Sequence, residues 1–144
     1  MAAARANHEL GLLTDAQAQA IEQACKEILD GQHHEHFPVD MIQGGAGTTT
    51  NMNANEVIAN RALQIMGYPL GKYKYCSPND HINCSQSTND AYPTAIHLGL
   101  YATHLEFMKH LEPLIKSFEA KAEEFAGILK MGRTQLEDAV PMTL

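Results

Sequence analysis

The feature that most constrains the fold is a long stripe of apolar or small residues in the second half of the chain. Its members are separated by steps of only three or four residues, a spacing that places them on one face of an α-helix. They are Ile96, Leu100, Thr103, Phe107, Leu111, Leu114, Phe118, Ala122, Phe125 and Leu129. We predict a helix that is capped at its start by Ser87, Thr88 or Asn89 and ends at a C-terminal cap, Gly132.

Pro113 is the one interruption of this stripe. A proline removes a backbone hydrogen bond and bends or divides a helix, but the stripe keeps its phase across Pro113 and no turn residues surround it. We therefore predict a kinked helix and not a hairpin. About 40 residues at roughly 1.5 Å each span on the order of 60 Å. Polar clusters at its two ends, 85–89 and 133–135, would then share one site only if they came from different subunits.

Composition excludes several classes of partner and location. The chain has 10 Lys and Arg against 17 Asp and Glu, with a net charge of −7 and no basic cluster, which argues against nucleic-acid binding. No apolar run reaches the roughly 18 residues of a membrane span, and no signal-peptide core follows Met1. The three cysteines, Cys25, Cys76 and Cys84, lack C-x-x-C spacing, so we predict free thiols and a cytoplasmic location.

Two further helices are predicted before the stripe. Residues 14–17 have the form of a capping box, and they open a helix that Gly31 ends. Another helix is expected to begin near Asn51 or Asn53 and to end at Gly67.

Two segments are predicted to be connections. Residues 71–83 are polar and turn-rich, with a β-prone run at 72–75 that suggests one small hairpin. The other segment is His33-His-Glu-His36. Imidazoles are common metal ligands, but no other Cys or His arrangement has the spacing of a structural zinc site. We therefore favour a hydrated loop over a metal site.

Two helix starts are rich in groups that bind anions. Residues 44–50 are glycine-rich and lead into a helix, where free backbone N–H groups and the helix dipole attract negative charge. The segment is not a nucleotide P-loop, because the lysine of that motif is absent; taken alone, a flexible turn capped by one of its threonines explains it better. Residues 85–89 form a second helix start of this kind. Two such helix starts in one short chain favour a small carboxylate-bearing substrate. Motifs of triad hydrolases and metalloenzymes are absent from the sequence, so the residues alone predict an oligomeric, anion-binding helical protein.

Four segments resemble the aspartase/fumarase superfamily. They are Gly44–Val57, Ser77–His81, Gln86–Pro93 and Lys130–Leu144, and the likeness covers nearly the whole chain from about Ala3. Within the superfamily the segments are more similar to aspartases, the aspartate ammonia-lyases, than to fumarases. Fumarases usually have His, Ser and His at the positions of Ser77, Thr88 and Gln135.

The resemblance implies a mainly α fold, with residues 1–88 in an N-terminal helical domain and 89–144 at the start of a central helical-bundle domain that is truncated here. It implies homotetramers whose bundle uses long helices of all four subunits, and active sites built from three subunits. The implied reaction is the reversible elimination of ammonia from L-aspartate to give fumarate, without an organic cofactor. Magnesium activates some bacterial members, and we assign it no ligand here.

The resemblance also implies which residues hold the dicarboxylate substrate. They are Thr48, Ser87, Thr88, Asn89, Thr134 and Gln135. Residues 87–89 would grip the carboxylate beside the carbon that loses its proton, where negative charge develops, while Thr134 and Gln135 would come from another subunit. Gln135 replaces a histidine of many relatives and can orient the substrate but not take up a proton. Asn79 and Asp80 match a segment near the active-site mouth, a second anion site, although an Asx turn explains them at least as well.

The catalytic base of the superfamily is a serine in a Gly-Ser-Ser-x-x-x-Pro-x-Lys-x-Asn loop, and no segment of the 144 residues matches that signature. We therefore assign no catalytic residue and no metal ligand. Because the sequence stops at residues 141–144 without a helix end or a polar tail, we expect an internal fragment of the lyase that is inactive by itself. The alternatives are a fumarate hydratase of the same superfamily and a non-catalytic helical assembly module.

Overall fold

The computed structural model describes residues 1–40, 42 and 45–143. Four α-helices dominate it, which confirms the mainly α fold: α1 (Ala2–Glu9), α2 (Asp15–Leu29), α3 (Thr48–Ile65) and α4 (Thr88–Phe125). A 3-10 turn (His34–His36), a π-helical turn (Pro78–Ile82) and two strands, β1 (Lys130–Thr134) and β2 (Glu137–Met142), complete the described elements. Among these residues no helix is long and apolar enough to cross a membrane. The chain forms two compact units, Met1–His97 and Leu98–Leu144, and each is described by itself.

The core of the first unit lies where α2 packs on α3. Ile21 of α2 and Leu63 of α3 are its largest fully buried aliphatic side chains. Alanines surround them and allow the two helices to approach closely; they are Ala20, Ala24, Ala59 and Ala62. From α1, the buried Asn7 donates a hydrogen bond from Nδ2 to the backbone oxygen of Cys84 at 2.8 Å. This bond ties the start of the chain to the segment that leads into α4.

The predicted capping box at the start of α2 is confirmed. Thr14 Oγ1 accepts a hydrogen bond from the backbone N–H of Gln17 at 3.3 Å, and Gln17 Oε1 accepts one from the backbone N–H of Thr14 at 3.0 Å. Gln17 Nε2 also donates to the backbone oxygen of Tyr75 at 2.8 Å. The cap therefore fixes both the helix start and the neighbouring connection.

Replacing Thr14 with Ala is expected to lower the free energy of unfolding by about 1 kcal/mol, because the cap's hydroxyl is lost and a helix N–H is left without its partner. Urea denaturation of the two proteins measures the difference. The control is Thr94→Ala on the exposed face of α4, which is expected to change stability by less than about 0.5 kcal/mol. Equal effects of the two substitutions would contradict a specific capping role.

A half-buried ion pair joins α2 to α3 beside this core. Arg61 donates from Nε to Glu27 Oε2 at 2.5 Å and from Nη2 to Glu27 Oε1 at 3.1 Å, a bidentate arrangement that strengthens the pair. His33 Nε2 lies 3.1 Å from Glu27 Oε2. The Arg61 guanidinium, followed by the hydrogen bonds from His33 and Gln23, lowers the pKa of Glu27 from its usual value of 4.5 to about 2.

This lowered pKa predicts a pH-dependent contribution to stability. Because the carboxyl of folded Glu27 ionises more readily than that of the unfolded chain, its contribution is complete above pH 4.5 and is lost as the pH falls towards about 2. The Glu27→Gln variant should therefore be less stable than the unchanged protein at neutral pH, and the gap should narrow across that window. Urea midpoints measured across this range test it, with the exposed Glu9→Gln as control. A gap that stays constant would show that the charge of Glu27 does not contribute.

The start of α3 differs from the prediction. The helix begins at Thr48 and not at Asn51 or Asn53, its N-cap position is Gly47, and no side chain among the described residues caps it. The prediction that a threonine of residues 48–50 caps the helix is therefore wrong, because these residues form its first turn. Asparagine usually favours helix caps over helix interiors, and that preference misplaced the boundary. Here Asn53 Nδ2 donates instead to the backbone oxygen of His36 at 2.9 Å.

The connection from 71 to 83 is confirmed, but its β-prone run forms turns and the suggested hairpin is wrong. The ring of Tyr75 stacks on that of Tyr68 with centroids 3.9 Å apart. The backbone N–H of Tyr75 donates to the oxygen of Lys72 at 2.9 Å. The hydrogen bond and the stacked rings stabilise residues 72–75 as a turn. Tyr75 thereby gains from Tyr68 the aromatic contact that a neighbouring strand would otherwise supply.

Helix α4 continues through Pro113 as one element, which confirms that the chain does not form a hairpin there. The helix ends at Phe125, however, and not at Gly132. Gly127 follows closely, and a glycine weakens helix propagation. The last predicted stripe residue, Leu129, therefore lies outside the helix.

A β-hairpin occupies the segment that was expected to hold the helix end. Strands β1 and β2 pair antiparallel, with Lys130 opposite Met142 and Thr134 opposite Glu137. Gly132 lies within β1 and is not a helix cap. A Cβ added at this glycine would lie 2.8 Å from Met142 Sδ, so the Met142 side chain would have to move to admit one. The stripe keeps its helical spacing up to Leu129, so the sequence pattern gave no sign that the helix ends and a hairpin follows.

Candidate functional site

The structure brings the N-terminal turns of α3 and α4 together within the first unit. Asn51, in the first turn of α3, donates from Nδ2 to Thr88 Oγ1 at 3.0 Å. Thr88 is the first residue of α4. Thr48 lies three residues before Asn51 and therefore on the same face of α3. Two helix starts, each at the positive end of a helix dipole, thus adjoin one another.

A network of asparagines holds this junction. Asn83 Oδ1 accepts hydrogen bonds from Asn51 Nδ2 at 3.1 Å and from Asn55 Nδ2 at 3.0 Å. Asn83 Nδ2 in turn donates to the backbone oxygen of Gln86 at 3.0 Å. Asn55 is buried, so these amides lie where unpaired polar groups would be costly. The network links α3 to the segment that enters α4 and fixes the position of Thr88.

The hydroxyl of Thr88 can donate a further hydrogen bond. Its oxygen accepts the hydrogen bond from Asn51, and a hydroxyl that accepts one bond keeps its own proton available for another acceptor. Thr88 is half-buried, between its exposed neighbours Ser87 and Asn89. A carboxylate at this end of α4 would therefore meet the Thr88 hydroxyl and the positive end of the helix dipole.

Ser87 has a structural role as well as a predicted binding role. Its Oγ accepts from the backbone N–H of Asn89 at 3.2 Å, and its carbonyl oxygen accepts from the backbone N–H of Asp90 at 3.0 Å. Ser87 is therefore the residue that caps α4 among the three predicted candidates. Its hydroxyl proton remains able to donate.

Gly47 packs against the start of α4. Its φ of 78° lies in the left-handed region, which glycine adopts without steric cost. A Cβ at this position would lie 2.0 Å and 2.1 Å from the Cδ1 and Cε1 atoms of Tyr92, well inside van der Waals contact. The tyrosine ring therefore occupies the space that only glycine leaves free, next to Thr48. This contact sets how closely the two helix starts approach.

Thr134 and Gln135 lie in the second unit, at the tip of the hairpin. Thr134 pairs with Glu137, and the two residues between them, Gln135 and Leu136, have φ values of 49° and 67°. Two consecutive residues with positive φ form the tight turn that suits a two-residue hairpin. Residues other than glycine rarely adopt this backbone conformation. The tip is exposed, with Leu136 fully exposed.

Asn79 and Asp80 lie in the π-helical turn of the first unit and are exposed. Their backbone N–H groups donate to Ser77 Oγ at 3.2 Å and 3.1 Å. The backbone N–H of Ser77 donates to His81 Nδ1 at 2.8 Å. This turn explains the local sequence without a ligand, and an anion site here remains a prediction.

Sequence reasoning missed Asn51, Asn55 and Asn83 as parts of the site. Asn51 and Asn55 lie in a run of alternating asparagines inside a helix, where this residue type is unfavourable without a specific partner. Asparagines with low helix propensity inside a helix were therefore the one sequence signal that these side chains have specific partners. Their partner Asn83 lies 32 and 28 residues further along the chain, which no local pattern reveals.

Three comparisons with known proteins agree with this architecture. A family model described as Lyase matches residues 1–144. The aspartate ammonia-lyase of Pseudomonas canavaninivorans is 62% identical over 143 residues, which cover 99% of this chain and 30% of that protein. The crystal structure of fumarate lyase:delta crystallin from Brucella melitensis in native form has 55% identity and a TM-score of 0.74, covering 99% of this chain and 33% of that one.

A more distant relative of known structure is the recombinant class II fumarase from Schistosoma mansoni. It has 40% identity and a TM-score of 0.64, with 99% of this chain and 30% of that chain covered. The chain therefore spans about a third of the length of each of these relatives. It belongs to the lyase family, and its resemblance to the aspartase/fumarase superfamily is confirmed.

Proposed function

We propose that this chain supplies the residues that bind a substrate carboxylate in an ammonia-lyase that converts L-aspartate reversibly to fumarate and ammonia. The observation that carries the proposal is the hydrogen bond from Asn51 to Thr88, which joins two helix N-termini and orients a hydroxyl donor. The identity of 62% to an aspartate ammonia-lyase supports the choice of substrate.

In this proposal, Thr48 and residues 87–89 hold the carboxylate beside the carbon that loses its proton. Proton removal places a second negative charge on that carboxylate as an aci-carboxylate. Donors that are already oriented stabilise such developing charge without reorganising, and each can lower the barrier by several kcal/mol. The Asn51–Asn83 hydrogen bond serves this purpose by fixing Thr88 before the substrate arrives.

Thr134 and Gln135 are proposed to bind the other carboxylate or the amine from another subunit. The strained left-handed conformation of Gln135 supports a binding role, because such conformations cluster at functional sites. Gln135 can donate and accept hydrogen bonds but cannot take up a proton. No organic cofactor takes part in the proposed reaction, and magnesium would act only as an activator.

The partner is proposed to be further copies of the same chain, arranged as a tetramer. Three apolar residues of the predicted stripe, Leu100, Phe107 and Phe118, are each more than half exposed. Soluble proteins rarely leave so continuous an apolar face in water. Packing of α4 against the same helix of other subunits would cover it, and the proposed location of the enzyme is the cytoplasm.

Substrate discrimination tests the proposed reaction. The full-length lyase that contains this segment is supplied with L-aspartate or L-malate, and fumarate is followed by its ultraviolet absorbance. We expect turnover of aspartate, with one ammonia released for each fumarate, and little turnover of malate. Preference for malate would instead favour the second candidate, a fumarate hydratase, to which the likeness to the class II fumarase points.

The 144-residue chain by itself is expected to be inactive on L-aspartate, because its proposed contacts position the substrate but supply no base to remove the proton. The same absorbance assay on the purified chain measures this. Clear turnover would overturn the assignment of the chain to carboxylate binding alone. A discrete tetramer that neither binds nor converts aspartate would favour the third candidate, a non-catalytic assembly module.

A further inference from the structure

A cluster of potential metal ligands lies outside the helix-start site, at the 3-10 turn that follows α2. His33, Glu35 and His36 each offer one ligand atom, and these three atoms all lie within 4.8 Å of one another. His36 Nε2 and Glu35 Oε1 are already 3.5 Å apart. In a tetrahedral site with bonds of about 2.1 Å, neighbouring ligand atoms are separated by roughly 3.4 Å. The observed spacing therefore fits two corners of such a site.

The surrounding residues hold the cluster from two sides. His33 Nε2 hydrogen-bonds to Glu27 Oε2 at 3.1 Å, and Arg61 keeps that carboxylate in place. A carboxylate bonded to one ring nitrogen of a histidine orients the ring and leaves the other nitrogen free to bind a metal. On the other side, Asn53 Nδ2 donates to the backbone oxygen of His36 at 2.9 Å. The turn is thus anchored to both α2 and α3.

The adjoining cavity supplies a second observation. Its lining includes His33, His36, Asn53 and Glu56. The Oδ1 atom of Asn53 is buried and is without a hydrogen-bond partner among the described residues, and such an atom calls for a donor that these residues do not provide. A water bound to a metal ion is a strong donor. Glu56 and Arg61 also line the cavity, and the charge of Arg61 is paired with Glu27.

We propose that His33, Glu35 and His36 bind one divalent transition-metal ion of the Zn²⁺ or Co²⁺ class, with water completing the coordination. Two imidazoles and a carboxylate suit these ions, whereas Mg²⁺ and Ca²⁺ prefer oxygen ligands alone. The ion ties the turn to α2 and α3 and stabilises the first unit. The metal site shares no residue with the proposed carboxylate site, Thr48 and residues 87–89, and does not depend on the proposed lyase reaction.

Titration of Co²⁺ into the untagged, metal-free protein tests the proposal, because the visible spectrum of Co²⁺ reports its geometry. We expect saturation at one ion per chain, a four- or five-coordinate spectrum, and displacement by Zn²⁺. Zn²⁺ should also raise the Tm.

The variant His36→Ala is expected to weaken binding at least about 10-fold, since the loss of even a partner behind a ligand costs roughly 10- to 100-fold. It leaves the backbone oxygen that Asn53 needs, and because His36 is exposed we expect the variant to fold. The matched control is His34→Gln, which removes the neighbouring imidazole of the same run but leaves the three ligands unchanged. Equal weakening by both variants, binding without saturation, or a purely six-coordinate water-like spectrum would overturn the proposal.

Discussion

Replacing Thr88 with Val is expected to lower kcat/KM for L-aspartate by about 10²-fold or more in the full-length lyase that contains this segment. Valine keeps the branched shape of threonine but removes the hydroxyl that Asn51 orients. Because the hydroxyl would act on charge that develops during proton removal, most of the loss should appear in kcat and less in KM. Steady-state rates of fumarate formation measure both constants.

The control for this experiment is Thr94→Val, six residues further along α4 and exposed. It makes the same chemical change outside the proposed site, and its kcat/KM should stay close to that of the unchanged enzyme. An unchanged rate in Thr88→Val would remove Thr88 from the site. A fall of the same size in both variants would assign the effect to the helix and not to the substrate contact.

Replacing Gly47 with Ala is expected to produce the second large effect. The new Cβ would lie 2.0 Å from Tyr92 Cδ1, and the φ of 78° is strained for alanine. Either the ring or the turn must move, which displaces Thr48 from the start of α4. Because a displacement of about 1 Å in a positioning contact can cost 10²-fold in rate, we expect kcat/KM to fall by about that factor.

Gly45→Ala provides a matched control for this substitution. Gly45 also has a positive φ, of 97°, but a Cβ there meets no atom of the described residues within 4 Å. The two variants therefore share the backbone strain and differ in the collision with Tyr92. We expect Gly45→Ala to retain most of the activity, and equal losses in both would show that backbone strain, not the contact with α4, is responsible.

Local signals predicted the parts of the fold that local interactions determine. The start of α2 is fixed by Thr14 and Gln17, only three residues apart, and the prediction is confirmed. The start of α3 was misplaced because its capping position is a glycine in the left-handed conformation, which gives no side-chain signal. The uninterrupted passage of α4 through Pro113 followed from the constant phase of the stripe.

The hairpin after α4 could not be predicted from its turn. Two-residue hairpin turns usually contain Asn-Gly or Asp-Gly, whereas this one is built from Gln135 and Leu136. Apolar residues before it, including Leu129, continued the helical spacing by chance. The hairpin depends instead on pairings between its strands, such as Lys130 with Met142 and Thr134 with Glu137, which the helical pattern does not contain.

The candidate site was predictable only in part. Resemblance to a known superfamily pointed to Thr48 and to residues 87–89, and the structure places the first turns of α3 and α4 side by side through the bond from Asn51 to Thr88. The residues that build this junction, such as Asn83, act through partners far away in sequence. Burial and hydrogen bonding reveal them, whereas composition and spacing do not.

The most direct test of the account is a crystal structure of the full-length lyase with fumarate or L-aspartate bound. We predict a substrate carboxylate oxygen within about 2.7–3.2 Å of Thr88 Oγ1, with Asn51 still donating to the same hydroxyl. A substrate bound with both carboxylates away from Thr48 and residues 87–89 would contradict the account.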